Sequence, residues 1–317
     1  MTDNNRADYH GDDYALSMNN SIRMMQLIEA GRLDSISILP NMSSYDKCMD
    51  YLKQRWDSLM DKPLISVHLN IIDGYSLAGI TNPMFTHRAS CDGTYEYIFN
   101  TSWVKLLLCS YIPFVRARIR AELKKEFVLQ IGRVYNDLPK GINSDSEDNT
   151  GLRLDSHLHT HMIPVVFDAM MDAVGELNLA DKLSYVRVSR EPIGPFKKIK
   201  GTYPKANLIK NLLLNMLSAR AERILDKASI SHGLLWGLIM SGRMDKDRME
   251  LLLPDMMKYS IGKDKILEIL CHPGIVLANE QFEEIGPDDK EAVYSPNRDI
   301  EYDAAMNLNR DIASHYF

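Results

Sequence analysis

The sequence predicts an α/β protein with a parallel sheet that is either open or closed into a barrel. Strand-like and helix-like apolar patterns alternate along its 317 residues, which is typical of consecutive β–α units. The segment LISVHLNII at 64–72 is almost continuously apolar, as expected for a parallel strand that is buried on both faces. A single barrel of roughly 250 residues with insertions would account for the chain length.

The spacing of apolar residues distinguishes the predicted helices from the predicted strands. A helical pattern ends at Gly31, a natural C-cap residue, and Pro164 is well placed to open a later helix. The segment PKGINSDSEDNTG at 139–151 has no apolar period and is predicted to be a loop. We predict strands at 36–39, 64–72, 152–162, 184–191 and 266–272, helices at 18–31, 45–60, 101–135, 164–174, 205–228 and 245–258, and a mixed segment at 232–240.

Composition restricts the classes of function. The net charge of −6, from 37 basic and 43 acidic residues, provides no basic surface for nucleic acid or an anionic membrane. No stretch approaches the roughly 20 apolar residues of a membrane span. The N-terminal segment MTDNNRADYHGDDY lacks the apolar core of a signal peptide. The four cysteines form no CxxC pair, so we expect a cytoplasmic protein.

Polar residues that are suited to chemistry fall near predicted strand ends, where β/α proteins collect their active sites. The motif GDDY at 11–14 precedes a helix, and His68 lies near the end of the most apolar strand. Side chains two apart on a strand share a face, so the three histidines of DSHLHTH are expected to project together. These histidines are His157, His159 and His161, and a further candidate is His272 in the segment CHPG.

Taken singly, each candidate also has a structural interpretation. The pair Asp12 and Asp13 could cap a helix, and His68 could be a hydrogen-bonded core histidine. Together, however, a carboxylate and two histidines from different strand ends form the ligand set of an open metal site, which leaves positions for water and substrate. The second carboxylate could then act as a general base, while a histidine donates a proton to the leaving group.

Several segments resemble the YdjC-like (ChbG/HpnK) family of carbohydrate deacetylases. The family's aspartate motif corresponds to YHGDDYALS at 9–17. The resemblance extends over most of the chain and in the expected order. It includes LIEAGRLDSISILPNM (27–42), VHLNIIDG (67–74), LDSHLHTHMIPVVF (154–167), VRVSRE (186–191), HGLLWGLIMSGRMD (232–245) and EILCHPG (268–274).

This resemblance implies a single domain over residues 1–317 with the fold of a distorted (β/α) TIM-like barrel. It also implies one divalent ion, zinc or magnesium, and hydrolysis of an N-acetyl group on an amino sugar or oligosaccharide, with water as the nucleophile. A homodimer is the default oligomer. By position, the metal ligands are Asp13, His68 and His157, the catalytic base is Asp12 and the general acid is His272. The candidate substrate residues are Arg187, Arg190, His159 and His161. The two arginines could also hold Asp12 or form surface ion pairs.

The chain departs from the family's pattern around the aspartate motif. Gly11 replaces the usual alanine and Ala15 the usual glycine, and a positive φ angle at an alanine costs about 1 kcal/mol or more. Residues 1–10 are mostly polar, so the expected apolar first strand is missing and we expect that strand to be short.

Two segments, 75–100 and 139–151, are expected to be loop insertions over the barrel mouth. The first contains five aromatic residues that could stack on sugar rings or, equally, cover a strand edge or pack between protomers. These aromatic residues are Tyr75, Phe85, Tyr95, Tyr97 and Phe99.

Two other functions remain open. One is a metal hydrolase that cleaves another amide, an ester or a phosphoester, although no cluster of lysines or arginines is clearly directed at a phosphate. The other is a metal-bearing carbohydrate-binding protein without catalysis. The presence of Asp12 beside Asp13 argues against a pure binding protein, which has no need of a base. Free, polymeric, nucleotide-linked and lipid-linked sugars are all compatible with these residues.

Overall fold

The computed structural model describes residues 7–91, 94–139, 151–280 and 282–310. Seven strands form one parallel sheet in the order β7-β6-β3-β2-β1-β9-β8, and the other two pair as an antiparallel hairpin. The strands are β1 (Ala7–Tyr14), β2 (Ser35–Ile38), β3 (Leu64–Leu69), β4 (Thr86–Cys91), β5 (Thr94–Phe99), β6 (Leu152–Ser156), β7 (Leu183–Val186), β8 (Leu234–Trp236) and β9 (Leu267–Cys271).

Helices cover the outside of the large sheet. They are α1 (Met18–Glu29), α2 (Tyr45–Trp56), α3 (Trp103–Cys109), α4 (Pro113–Asp137), α5 (Pro164–Glu176), α6 (Lys205–Lys227), α7 (Lys246–Ile261), α8 (Pro287–Val293) and α9 (Asn297–Asn307). The predicted helices agree with these to within a few residues, except that the predicted region 101–135 divides into α3 and α4. A membrane-crossing helix, which must be both long and apolar, is not found among the described residues.

The large sheet curls until its two edge strands approach each other. Ser231, just before β8, receives a hydrogen bond from the amide of Val186 (3.1 Å) and donates one to the carbonyl of Ser184 (3.2 Å). The amide of Leu235 donates to the carbonyl of Arg190 at 2.9 Å. These contacts join β7 to β8 and confirm the predicted fold class, a distorted β/α barrel. The carboxyl ends of all seven strands therefore surround one mouth.

The first strand corrects the expectation of a short or missing β1. It has eight residues, all buried, and pairs with β2 on one side and β9 on the other. Its alternate residues Asp8, His10 and Asp12 join a polar network, in which both ring nitrogens of His10 lie 2.6 Å from serine hydroxyls of β2. The strand looks polar in sequence because the barrel interior that it lines is polar, whereas its outward side packs on helices.

An irregularity at the end of β1 turns two consecutive aspartates towards the mouth. The β1–β2 register shifts between Gly11 and Tyr14, and Asp13 has a φ of 70°, as in a β-bulge. Ala15 has a φ of 72°, so the alanine does occupy a backbone conformation that favours glycine. A Cβ atom on Gly11 would lie 2.9 Å from the end of the Met24 side chain, so a larger residue at this position would require that side chain to move.

The histidine-rich segment is not the extended strand that we predicted for 152–162. Strand β6 ends at Ser156, and His157–Met162 form a 3₁₀ turn in which Leu158 and His159 have φ angles of 50° and 59°. The expectation that the three histidines share one face was therefore wrong. Alternation applies only to extended backbone, and two left-handed residues direct the three rings to different places.

The predicted insertion 75–100 contains the β4–β5 hairpin, but those of its aromatic side chains that the structure describes do not line the barrel mouth. Phe85 and Phe99 are fully buried in the main hydrophobic core, and none of the described aromatic residues of the insertion contributes to the two cavities at the mouth. The stacking role is thus not supported for Phe85 and Phe99, which act as core residues. The side chain of Tyr95 and most of the second insertion, residues 140–150, lie outside the described residues.

Gly237, which directly follows β8, is a position where an added side chain should strongly destabilise the fold. It has a φ of 145°, and an added Cβ would lie 2.6 Å from the carbonyl oxygen of Leu270. We expect Gly237→Ala to lower the free energy of unfolding by about 2–4 kcal/mol, measured by denaturant titration. The matched control is Gly175→Ala in α5, where no atom lies within 4 Å and alanine favours the helix. Equal stability of the two variants would contradict this assignment.

Candidate metal centre and active site

The barrel mouth brings together the side chains that the sequence analysis singled out as a metal site. Asp12 and Asp13 lie near the end of β1, His68 near the end of β3, and His157 directly after β6. All four side chains are buried. His272 follows β9 and lines both cavities beside this cluster.

Asp13, His68 and His157 present three ligand atoms to one point. The Oδ1 atom of Asp13 lies 3.5 Å from Nε2 of His68 and 3.1 Å from Nδ1 of His157, and the three atoms all lie within 4.8 Å of one another. Ligands of a tetrahedral ion with bonds of about 2.1 Å are separated by about 3.4 Å. This donor set therefore fits a single ion such as zinc.

The remaining nitrogen of each histidine contacts a carboxylate. The Nδ1 atom of His68 lies 2.6 Å from Asp155, and Nε2 of His157 lies 2.8 Å from Asp289. Metal-binding histidines are commonly oriented by a carboxylate in this way. Burial alone would lower the pKa of His68, but the carboxylates of Asp12 and Asp155 raise it to about 9.

Other groups of acidic and histidine side chains are less suited to an ion. Within the described part of the chain they are Asp8/His10/Glu268, His10/Asp12/Asp155 and Asp73/His157/Asp289. In the first two, both ring nitrogens of His10 already contact serine hydroxyls, and Arg187 contacts a carboxylate in each group. The third offers one imidazole, and burial raises the pKa of Asp73 to about 7.

Asp12 is held by a buried arginine. The Nη1 and Nη2 atoms of Arg187 lie 2.9 and 2.8 Å from its two carboxylate oxygens, and Nε2 of His10 lies 3.1 Å away. Burial alone would raise the pKa of Asp12, yet the positive charges of Arg187 and His68 hold it well below its usual range. Asp12 is therefore ionised and fixed in orientation, and it lines the smaller cavity. Arg187 contacts Asp12 and is itself fully buried.

Two residues that sequence reasoning missed approach the site from α9. The Nη2 atom of Arg298 donates to Oδ2 of Asp13 at 2.7 Å. The Oε2 atom of Glu301 accepts a hydrogen bond from the backbone amide of His272 at 2.7 Å and lies 3.4 Å from Nδ1 of its ring. In the sequence, the signal was a pair of opposite charges three residues apart on a helix with apolar neighbours, which more often marks a solvated face.

Two adjacent recesses, which share His157 and His272 in their linings, lie beside the ligand cluster. The larger, of about 330 Å³, is lined by Asp13, His157 and His272 together with residues of α8 and α9. The smaller, of about 160 Å³, is lined by Asp12, His68, His159 and His272 and by Lys210 of α6. These volumes suit a small polar group rather than a large apolar ligand.

His159 and Lys210 are potential substrate contacts in the smaller recess. His159 is buried, and its Nδ1 atom finds no hydrogen-bond partner. Burial, followed by the charges of Lys210 and Arg187, holds its pKa well below the usual range, so the ring is neutral. Lys210 was not flagged from the sequence because one lysine on a long amphipathic helix resembles any solvated residue.

The structure does not bring two expected substrate residues to these recesses. The ring nitrogens of His161 contact the hydroxyl of Ser156 (2.7 Å) and the carbonyl of Arg187 (2.9 Å), so both are occupied in the interior. Arg190 forms an ion pair with Glu222 on α6 and borders a different surface recess. These contacts do not support a substrate role for either residue. His161 is turned inward by the two left-handed residues before it, and the ion pair of Arg190 matches the surface pairing that was the alternative for this arginine.

Comparisons with known proteins agree with this architecture. A search of curated proteins finds no match. A crystal structure from Enterococcus faecalis V583, described as a putative cellobiose-phosphate cleavage protein, is similar with a TM-score of 0.57 over 99% of this chain and 95% of that one. At 13% sequence identity, this likeness demonstrates the fold alone. The profile of the YdjC-like protein family matches residues 9–309, and the chain belongs to that family.

Proposed function

We propose that this protein is a metal-dependent hydrolase that removes the N-acetyl group from an amino sugar. The observation that carries the proposal is the convergence of Asp13, His68 and His157 on one point, with the ionised carboxylate of Asp12 beside it. Three protein ligands at the edge of a recess are typical of a catalytic rather than a structural ion. The family resemblance directs this chemistry to N-acetylated sugars.

Asp13, His68 and His157 would hold the ion. When bound, a divalent ion supplies Lewis-acid polarisation of the acetamide carbonyl and lowers the pKa of water. The two imidazoles favour zinc over magnesium, which prefers oxygen ligands. The carboxylates of Asp155 and Asp289 keep the histidine rings oriented.

Asp12 would accept the proton of the attacking water. Its contacts with Arg187 keep it ionised, which is the form that a base requires. The same contacts reduce its proton affinity, so Asp12 would act best on water whose pKa is lowered by an ion held at Asp13, His68 and His157. This dependence explains why the base lies next to the ion-binding cluster rather than alone.

His272 would protonate the departing nitrogen. Its ring is about one quarter exposed (24%) and borders both recesses, so a substrate can reach it. The carboxylate of Glu301 faces its Nδ1 atom, so the imidazolium form of the ring would present its Nε2–H to the departing nitrogen. Attack by water forms the new C–O bond, and proton transfer from His272 allows the amide C–N bond to break and release acetate and the free amine.

The substrate proposal is an N-acetylated amino sugar or oligosaccharide whose acetamido group enters the recess. A sugar presents several hydroxyl groups, and the recess offers polar partners for them, including the ring of His159 and the ammonium group of Lys210. The ammonium group of Lys210 has no hydrogen bond or ion pair within the described ranges, and the charge of Asp289 acts on it from a greater distance. It can therefore donate to a substrate oxygen without first breaking an internal contact.

The first prediction concerns metal binding. Asp13→Ala removes the oxygen shared by both histidine contacts, so we expect the purified variant to lose the bound ion. Asp12→Asn should retain it at a stoichiometry of about one per chain. Elemental analysis after incubation with zinc and dialysis measures both.

The matched control for metal binding is Asp46→Asn, because Asp46 is a surface residue with an exposed side chain. This control should bind zinc as the unmodified protein does. Equal zinc content in Asp13→Ala and Asp46→Asn would refute the ligand assignment.

The second prediction concerns turnover. We expect the zinc-loaded protein to release acetate from at least one member of a panel of N-acetylated mono- and oligosaccharides, and chelation to abolish this activity. Asp12→Asn should lower kcat by about 10²–10⁴-fold because a general base contributes that much. An enzyme-coupled acetate assay measures the rate.

Two outcomes would exclude the proposed reaction. Full activity of Asp12→Asn would remove its role as the base. Sugar binding without acetate release, with a bound ion present, would instead favour the carbohydrate-binding alternative, and release of a different product from esters would favour another hydrolase. The variant Asp46→Asn again serves as the control and should keep its kcat.

A further inference from the structure

We infer that α9 is part of the active site and carries two positioning residues with separable tasks. Arg298 holds the metal-binding aspartate, and Glu301 holds the proton-donating histidine. This inference rests on the proposed function for the roles of Asp13 and His272, whereas the contacts themselves do not depend on it.

The geometry of α9 places both side chains on one face. Arg298 and Glu301 are three residues apart, so they lie on the same side of the helix. Both are buried although they are charged, and charged side chains are rarely buried unless they are paired. Their partners are the two parts of the site, Asp13 and His272.

Arg298 determines which oxygen of Asp13 is available. Its Nη2 atom contacts Oδ2 at 2.7 Å, whereas Oδ1 faces His157 and His68. The Nε atom of Arg298 donates to the carbonyl of Ala292 at 3.3 Å, which anchors the guanidinium on α8. The carboxylate therefore cannot rotate freely, and it offers a single oxygen to an ion.

Glu301 determines the orientation of the His272 ring. One oxygen accepts the backbone amide of His272 and lies 3.4 Å from Nδ1, and the other accepts the amide of Gly242 at 2.6 Å. A carboxylate next to Nδ1 favours the N–H form at that nitrogen. The opposite nitrogen, Nε2, is then directed away from Glu301.

Substitutions at Arg298 and Glu301 can distinguish separate positioning roles from a general structural role of α9. If α9 only supported the fold, substitution at either residue would disturb the metal site and the histidine together. If the tasks are separate, each substitution changes one property and leaves the other. The variants are Arg298→Met and Glu301→Gln, which keep similar side-chain volumes.

Three measurements on the full chain separate the tasks. The first is the dissociation constant for zinc alone, from competition with a chromophoric chelator. The second is the tautomer of His272, from ¹⁵N chemical shifts of the histidine-labelled protein. The third is kcat and KM for acetate release. The first two measurements need no substrate, so they remain decisive if no deacetylase activity is found.

We expect Arg298→Met to weaken zinc binding about 10–100-fold, the usual effect of removing a partner of a metal ligand, and to leave the His272 tautomer unchanged. Glu301→Gln should remove the preference of the neutral ring for the Nδ1–H form. It should also lower kcat about 10²-fold or more, because no carboxylate then stabilises the imidazolium form that donates from Nε2. Its zinc affinity and KM should change less than two-fold. Glu301→Asp should restore the Nδ1–H form in part.

The control on the same helix is Asp303→Asn, because Asp303 is exposed and contacts neither partner. It should change none of the three properties. Parallel loss of zinc affinity and of the His272 tautomer in both variants would overturn the inference in favour of a structural helix. Unchanged values in both would overturn it as well. Failure of acetate release alone would count against the proposed function and not against this inference.

Discussion

Arg187, which directly follows β7, lies at the centre of the barrel, and its guanidinium contacts carboxylates on three strands. Two of its nitrogens contact Asp12 on β1, one also lies 3.1 Å from Asp155 on β6, and Nε contacts Glu268 on β9. Removing one member of such a buried group leaves an uncompensated charge, which costs several kcal/mol. The network therefore fixes the strands around the mouth. It also fixes Asp12, the proposed base, and Asp155, which contacts His68.

This polar interior explains both the success and the failure of the sequence analysis. Strand β3 was predictable because it lies in the almost continuously apolar run 64–72. Strand β1 looked too polar because its inward residues belong to the ion network instead of an apolar core. The turn at Leu158 and His159 could not be predicted from the alternation of polar and apolar residues. Both residues adopt positive φ angles, and no glycine in the segment indicates this.

The site itself was predictable where a rare residue type occurs at the end of a strand. Asp13, His68 and His157 met that condition, and the structure brings them together. Arg298 and Glu301 did not, because they lie almost 300 residues along the chain on a helix that has no motif. Only the three-dimensional packing of α9 against β1 and β9 reveals that charged residues there face inward.

The central claim is that one ion binds between Asp13, His68 and His157. The most direct measurement is the anomalous difference density of crystals of the zinc-loaded protein, recorded above and below the zinc absorption edge. The account predicts one peak about 2.0–2.2 Å from Oδ1 of Asp13, Nε2 of His68 and Nδ1 of His157. A peak between Asp73, Asp289 and the opposite nitrogen of His157, or no ordered zinc at the mouth, would contradict it.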